Sequence, residues 1–302
     1  MKPSPWRSRV LSRSVRPFVI IRPLSRRPAR IPEPPARTPS VNSERCNLGC
    51  DCGIMSNYPT DVLRFSMPAL LSLDTSTDAC SLACVLGEYA AERHELLPRA
   101  HNRHILAMVD QVMAGQPLSA LEAIVCGVGP GSFTGLRVAT GVAQGLAWSL
   151  NVPVLPFCSL MSQALAAPTE LDDSDGYVLS TIEAQTGQFY WRLFDGRDGG
   201  LQPVGEPCLG VFERLLDQLG DCASHRVRVV GSAAKSLVDR LGAGLSIEWA
   251  VHAEVRPRAA AALQFVCEHP NPPLGISAEN LQPLYVQTDI GWKKLSEQPK
   301  RA

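Results

Sequence analysis

The chain has 302 residues, 45% apolar and 6% aromatic, and its 29 basic side chains cancel its 29 acidic ones. That apolar content supplies a core for one large domain or two of ordinary size, as expected of a soluble globular protein. The only apolar run before Met67, Phe18 to Ile21, is too short for a secretory signal or a bilayer span, so nothing points to secretion or a membrane and the expected compartment is the cytoplasm.

Taken in chain order, the neutral total conceals an asymmetry. Residues 1–66 carry Lys2 and eleven arginines against Glu33, Glu44, Asp51 and Asp61, a net of about +8, which leaves about −8 on the remainder. Rich in Arg, Pro and Ser and lacking periodic apolar positions, this stretch could not bury enough surface to order itself and is expected to be disordered. It reads as an organelle transit peptide, a nucleic-acid-binding arm, or untranslated sequence behind a start codon placed too early. The last is favoured, because Met67 runs directly into PALLSLDTST, the opening of a domain, and Met55 is a second start. Cys46, Cys50 and Cys52 form a C-x3-C-x-C cluster, but no C-x2-C or His pair follows at zinc spacing. The other seven cysteines mostly sit in apolar runs, as reduced cytosolic thiols do.

The folded part opens with strands at Ala69 to Asp74, Cys80 to Leu86 and Tyr89 to Leu96, a meander whose first turn, Thr75 to Ala79, is rich in hydroxyls. A helix over His101 to Met113 follows, with Ile105, Met108, Val109 and Val112 at i, i+3, i+4 and i+7. Then comes a strand, Leu121 to Gly127, and the segment GVGPGSFTGLRVATGVAQGL, which reads as a tight turn running into a helix from about Thr134 to Leu150. Such a turn exposes backbone N–H groups that can cradle an anion. Gly141 and Gly145 each cost that helix roughly 1 kcal/mol against alanine, so their spacing of four points to close helix packing. A short strand at Val152 to Leu155 and a helix at Ser159 to Ala167 lead to an acidic break, Pro168 to Gly176, where a domain boundary is placed.

The second half begins again with strands, Tyr177 to Glu183 and Gln188 to Phe194, then a helix near Val211 to Leu219 and a strand at Val227 to Gly231. Helices near Ala233 to Leu241 and Pro257 to Glu268 precede a C-terminal stretch with Tyr285, Trp292, Lys293 and Lys294. Two halves that each start with a meander and continue with alternating helices and strands predict a duplicated α/β fold. The expected architecture is two three-layer domains of ribonuclease-H-like type, residues 67–170 and 171–302. A single Rossmann sheet is the alternative, but no G-x-G-x-x-G turn follows the first strand.

Asp74-Thr75-Ser76 sits where the first strand meets its hairpin. In phosphotransferases of this architecture such a turn holds metal and phosphate, although an Asp-Thr-Ser turn is also an ordinary hairpin connection. With Gly129, Gly131 and Ser132 it forms the candidate phosphate or nucleotide contact, read as vestigial because the second-half turn, Gly231-Ser232-Ala233-Ala234, is short of glycine. His94, His101 and His104 lack the i, i+4 spacing of a zinc helix, and Arg99 and Arg103 would oppose a cation. GPGSFTG is not the G-x-S-x-G elbow, so Ser132 and Thr134 are not read as nucleophiles. Glu183 and Asp195 stand alone on strands, without an acid/base partner. No catalytic residue and no metal ligand is assigned.

LLSLDTSTDACSLACV, ELLPRAHNRHILAMVDQVM, GVGPGSFTGLRVATGVAQGLA and PLYVQTDIGWKKL closely resemble the bacterial TsaB proteins, dimerisation subunits of the tRNA adenosine-37 threonylcarbamoyl transferase complex. The resemblance covers nearly all of residues 67–302. It implies a two-domain fold of the actin-like ATPase (ASKHA) kind without catalytic equipment. It also implies a heterodimer with a TsaD-like catalytic subunit, a TsaE-like ATPase subunit, tRNA reached through the complex, and a homodimer when alone. No cofactor of its own is implied; ATP or ADP, threonylcarbamoyl-AMP and metal belong to the partner subunits. In such a pair the two N-terminal helices of each partner form a four-helix interface. On this sequence that assigns His101, Ile105, Met108, Val112, Leu136, Arg137, Val138, Gly141, Val142 and Gly145 to the contact, with Arg137 and Arg103 setting register. In one departure, Glu183-Ala184-Gln185 and Gln188-Phe189-Tyr190 replace the family's Asp-Ala-Arg and Glu-x-Tyr, removing an arginine and an acidic side chain.

The competing expectation is a nucleotide-dependent small-molecule kinase anchored on Asp74, which needs a phosphate turn in both halves. A metal-dependent protease fails for lack of ligands. The acidic balance of residues 67–302 argues against strong, direct tRNA binding by this chain.

Overall fold

Apolar runs bounded by turn residues become strands β1 (Ala69–Asp74), β2 (Ala79–Leu86), β3 (Tyr89–Leu96), β4 (Ala123–Gly129) and β5 (Val154–Cys158). The computed structural model describes residues 69–168 and 176–286, apart from 185–186, 198–199, 211–214, 216–218, 220–225, 242–246 and 270. The basic stretch 1–66, the Cys46 cluster, Gln185, Trp292, Lys293 and Lys294 lie outside those residues. The five strands form one sheet in the order β3-β2-β1-β4-β5, with β1 antiparallel to β2 and parallel to β4. Central β1 and β4 are buried almost throughout, as strands covered on both faces are, whereas the edge strand β3 alternates.

The second half repeats this plan. Strands β6 (Tyr177–Glu183), β7 (Phe189–Asp195), β8 (Gln202–Gly210), β9 (Arg226–Val230) and β10 (Glu248–His252) form a sheet in the order β10-β9-β6-β7-β8 with the same senses. Two sheets of one connectivity make this a duplicated ribonuclease-H-like fold of the actin-like ATPase class, as the element order predicts, and not a single Rossmann sheet. Strands β8 and β10 escape the sequence reading because both lie at sheet edges. β8 carries Pro203 and Pro207 and is exposed over its first five residues; β10 has five residues, none buried.

The helices are α1 (His101–Met113), α2 (Phe133–Leu150), α3 (Ser159–Leu165), α4 (Ala234–Leu241) and α5 (Ala259–Glu268). The side chain of Ser132 caps α2 by accepting from Gly135 N at 3.3 Å. The predicted helix near Val211 to Leu219 falls mostly outside the described residues; Leu215 and Leu219 are buried in the core of the second sheet. Helices α1 and α2 cover one face of the first sheet, where Ile105, Met108 and Val112 join a core with Leu71, Leu82 and Ile124.

The halves exchange helices. α3 packs on β6 and β7 of the second sheet, while α5 packs on β1 and β2 of the first. Polar contacts secure the exchange: Gln163 Nε2 donates to Ser180 Oγ at 2.9 Å and to Thr181 O at 3.0 Å, and Ala259 N donates to Ser81 Oγ at 2.9 Å. Arg256 pairs with Asp78 at 2.6 Å, and Arg258 pairs with Glu92. Partial burial pushes Asp78 up, but the Arg256 hydrogen bond and charge outweigh it and hold the carboxyl below its usual value. Residues 66–302 accordingly fall in one compact unit. No helix among the described residues is long and apolar enough to cross a membrane.

Candidate functional site

The β1–β2 hairpin fills the space beneath the glycine turn that joins β4 to α2. Gly129 takes φ +112, a left-handed conformation that favours glycine, and its N–H is donated to Ser159 Oγ at 3.2 Å. Ser132 N donates to Ser76 O at 2.7 Å. A Cβ on Gly131 would strike Ser76 O, one on Gly135 would strike Thr75 O, and one on Gly127 would fall on the Asp74 carboxylate. These glycines therefore admit the hairpin itself. Asp74 Oδ1 accepts from Ser76 N at 2.8 Å and Ser76 Oγ at 2.6 Å, and Oδ2 accepts from Ser159 Oγ at 2.6 Å. Burial nevertheless pushes its pKa up, against the pull of those hydrogen bonds. Thr75 Oγ1 donates to Gly135 O at 2.7 Å.

Asp74, Thr75, Ser76, Gly129 and Gly131 are thus buried, and of the six residues expected to contact phosphate or nucleotide only Ser132 is exposed. N–H groups of the turn meet this chain's own atoms: Gly129 N meets Ser159 Oγ and Ser132 N meets Ser76 O, with the Asp74 carboxylate packed against Gly127.

The second-half turn is closed in the same way. Gly231 takes φ +102, a Cβ there would strike Thr181 O and the Gln163 side chain, and Ser232 Oγ accepts from Glu183 N at 2.9 Å. Among the described residues no three His, Cys, Asp or Glu side chains come together as a metal site. His101 is buried at the start of α1 and His104 is exposed, so the two point different ways. Asp195 pairs with Arg197 at 2.6 Å. Burial pushes the Cys80 thiol up to about 12 and the Cys84 thiol up to about 11, consistent with inert core cysteines.

On the outer surface of α1 and α2 the structure redraws the expected contact. Ile105, Met108, Val112 and Leu136 are each at most 3% exposed, and His101 is also buried. Their helical stripe packs on the sheet below, so they hold the helices in place and leave the outer surface to other residues. Arg137, Gly141 and Gly145 are exposed, and Val138 and Val142 half-buried, on the outer side of α2. Nothing lies within 4 Å of a Cβ built on Gly141 or Gly145. Trp148, 71% exposed, continues their line at i, i+4, i+7, and Leu106 on α1 is 59% exposed.

At the other end of α2, the Phe133 ring meets Tyr285 at 5.7 Å in a tilted arrangement, while Arg137 lies 3.8 Å above the Phe133 ring and donates to the Tyr285 hydroxyl at 3.3 Å. Leu106, Phe133, Trp148 and Tyr285 were not expected from sequence. The signal lay in surplus: α2 already buries Leu136, Ala139, Ala143 and Ala147, so apolar residues off that stripe have no core to enter.

The family model for tRNA N6-adenosine threonylcarbamoyltransferase, TsaD, matches residues 85–255. The tRNA threonylcarbamoyladenosine biosynthesis protein TsaB of Haemophilus influenzae is 32% identical over 241 residues, covering 75% of this chain and 96% of the relative. TsaB of Escherichia coli is 30% identical over 234 residues, covering 75% and 97%. The solved structure of YeaZ from Pseudomonas aeruginosa shares 32% identity with a TM-score of 0.61, covering 72% of this chain and all of that one.

Proposed function

The chain belongs to the TsaB family of tRNA threonylcarbamoyladenosine biosynthesis proteins, and from that premise we propose that it serves this tRNA modification as a scaffold, docking a TsaD-like catalytic subunit on the outer face of α1 and α2. The observation that carries the reading is the outer stripe of α2, half-buried Val138 and Val142 with exposed Gly141, Gly145 and Trp148, together with exposed Leu106 on α1. Large exposed apolar side chains on one helix face, next to glycines that leave the backbone bare, suit a partner helix at close range. The filled turns of both halves favour a role without chemistry at the Asp74 hairpin. Nucleotide, threonylcarbamoyl-AMP and metal then sit on the partner subunits, with a TsaE-like ATPase and tRNA engaged through the complex.

Co-expression with a TsaD-like subunit followed by size-exclusion chromatography tests this. The two chains should elute together, and Trp148→Glu should weaken the pairing by about 30-fold or more, the loss of one hot spot, while the isolated variant keeps its melting temperature. Co-elution undiminished in that variant would place the contact elsewhere. The kinase alternative predicts tight binding of Mg-ATP to the isolated chain, which calorimetry reads directly.

A further inference from the structure

A cleft unused by that reading lies between the open edges of the two sheets. Its inner lobe, about 240 Å3, is walled by Phe157 and Cys158 of β5, Met161 of α3, Arg192 and Phe194 of β7, and Pro203 of β8. An outer lobe of about 300 Å3 continues past Leu201, Gln202 and Phe265 to Ala261 and Glu268. The walls are largely apolar. Phe157 meets Phe265 edge-on at 5.5 Å, and Phe265 stacks on His269 at 4.3 Å.

Arg192 supplies the charge of the inner lobe. Its side chain is 14% exposed, its Nε donates to Gly205 O at 2.9 Å, and it lies near the Cys158 thiol and 5.7 Å from the Phe194 ring. Among the described residues its one carboxylate neighbour is Glu206, 3.9 Å away and 82% exposed, so water screens that pair. A guanidinium largely withdrawn from water and weakly countered favours an anion, and its planar fork suits a carboxylate. At the outer lobe the Glu268 carboxylate, held by Gln264 at 3.3 Å, would repel a second acid group. A concave, largely apolar cleft with a few placed polar groups is the usual form of a small-molecule site.

We propose that this cleft binds a small monocarboxylate with an apolar body, the acid group on Arg192 and the body among Phe157, Phe194 and Phe265. The assignment is independent of the docking face on α1 and α2, which lies on other helices.

Three probes of one shape separate the contributions: phenylacetate, phenylacetamide and phenethylamine, each titrated into the full chain by calorimetry. Phenylacetate should bind at least about tenfold more tightly than the amide, a difference of ~1.4 kcal/mol, and the amine should not bind. Arg192→Gln should bring acid and amide within about twofold of each other, and Leu201→Trp, which fills the cleft, should weaken both. Absence of phenylacetate binding up to about 10 mM, equal affinities across the three probes, or a preference that survives Arg192→Gln overturns the proposal. Should Arg192→Gln fail to fold, the three-probe series on the unaltered chain decides alone.

Discussion

Asp74 shows how the same residue type in the same position can be bound up in the fold itself. A carboxylate at the end of a first strand, beside hydroxyls and a glycine turn, has the parts of a phosphate site. Here both oxygens are spent on Ser76 and Ser159, and glycines at positions 127, 131 and 135 let the hairpin sit where a ligand would. The environment has a measurable sign. Burial raises the folded-state pKa of Asp74 above 3.8, so the folded protein binds this proton more tightly than the unfolded chain. Its contribution to stability is therefore fully present below pH 3.8 and is lost as pH rises through the folded value. Asp74→Asn is neutral throughout and can still accept from Ser76 and bond Ser159. Its unfolding free energy relative to the unaltered protein should climb as pH rises from 3.8 and level off once Asp74 ionises in the native state. Denaturant titrations at a series of pH values give this curve, and a difference that falls with pH would show that the hydrogen bonds outweigh desolvation.

At the scale of the element, α2 carries two patterns at once. Leu136, Ala139, Ala143 and Ala147 face the first sheet, while Val138, Gly141, Val142, Gly145 and Trp148 occupy other sides. The helix is apolar over most of its circumference, so periodicity alone cannot say which residues meet its own sheet and which meet something else. Burial resolves the matter: Leu136 and three alanines lie against the first sheet, while both glycines and Trp148 are left outside. The two glycines permit a test in which stability and binding move in opposite directions. Gly145→Ala adds a methyl where nothing lies within 4 Å, so the isolated chain should gain up to about 1 kcal/mol in unfolding free energy. If Gly145 admits a partner backbone, the same methyl should reduce co-elution with the TsaD-like subunit. A variant that gains stability and pairs as well as before would separate the glycine from the interface.

Across the whole molecule, each sheet belongs to one half of the sequence, yet the helices between them are exchanged, α3 to the second sheet and α5 to the first. Neither half can then bury its apolar surface alone. Calorimetric unfolding should show one transition, with the van't Hoff and calorimetric enthalpies equal within error. Residues 69–168 expressed alone should lack a cooperative melt; two independent transitions, or a stable isolated half, would contradict the exchange. The sequence by itself determined most of the element order, the duplication and the family, because hydrophobic period, glycine turns and strand meanders are recorded within a dozen residues of each other. α1 was legible to its ends for that reason. Edge strands β8 and β10 were not, since a strand with one neighbour need not be apolar or free of proline. Only the tertiary structure decided that Ile105, Met108, Val112 and Leu136 face inward, that the Asp74 hairpin fills the glycine turn, and that Arg192 stands in an apolar cleft. Each of those facts depends on what segments distant in sequence place against a residue, and exposure is set by that complete packing and not by the residue's own chemistry.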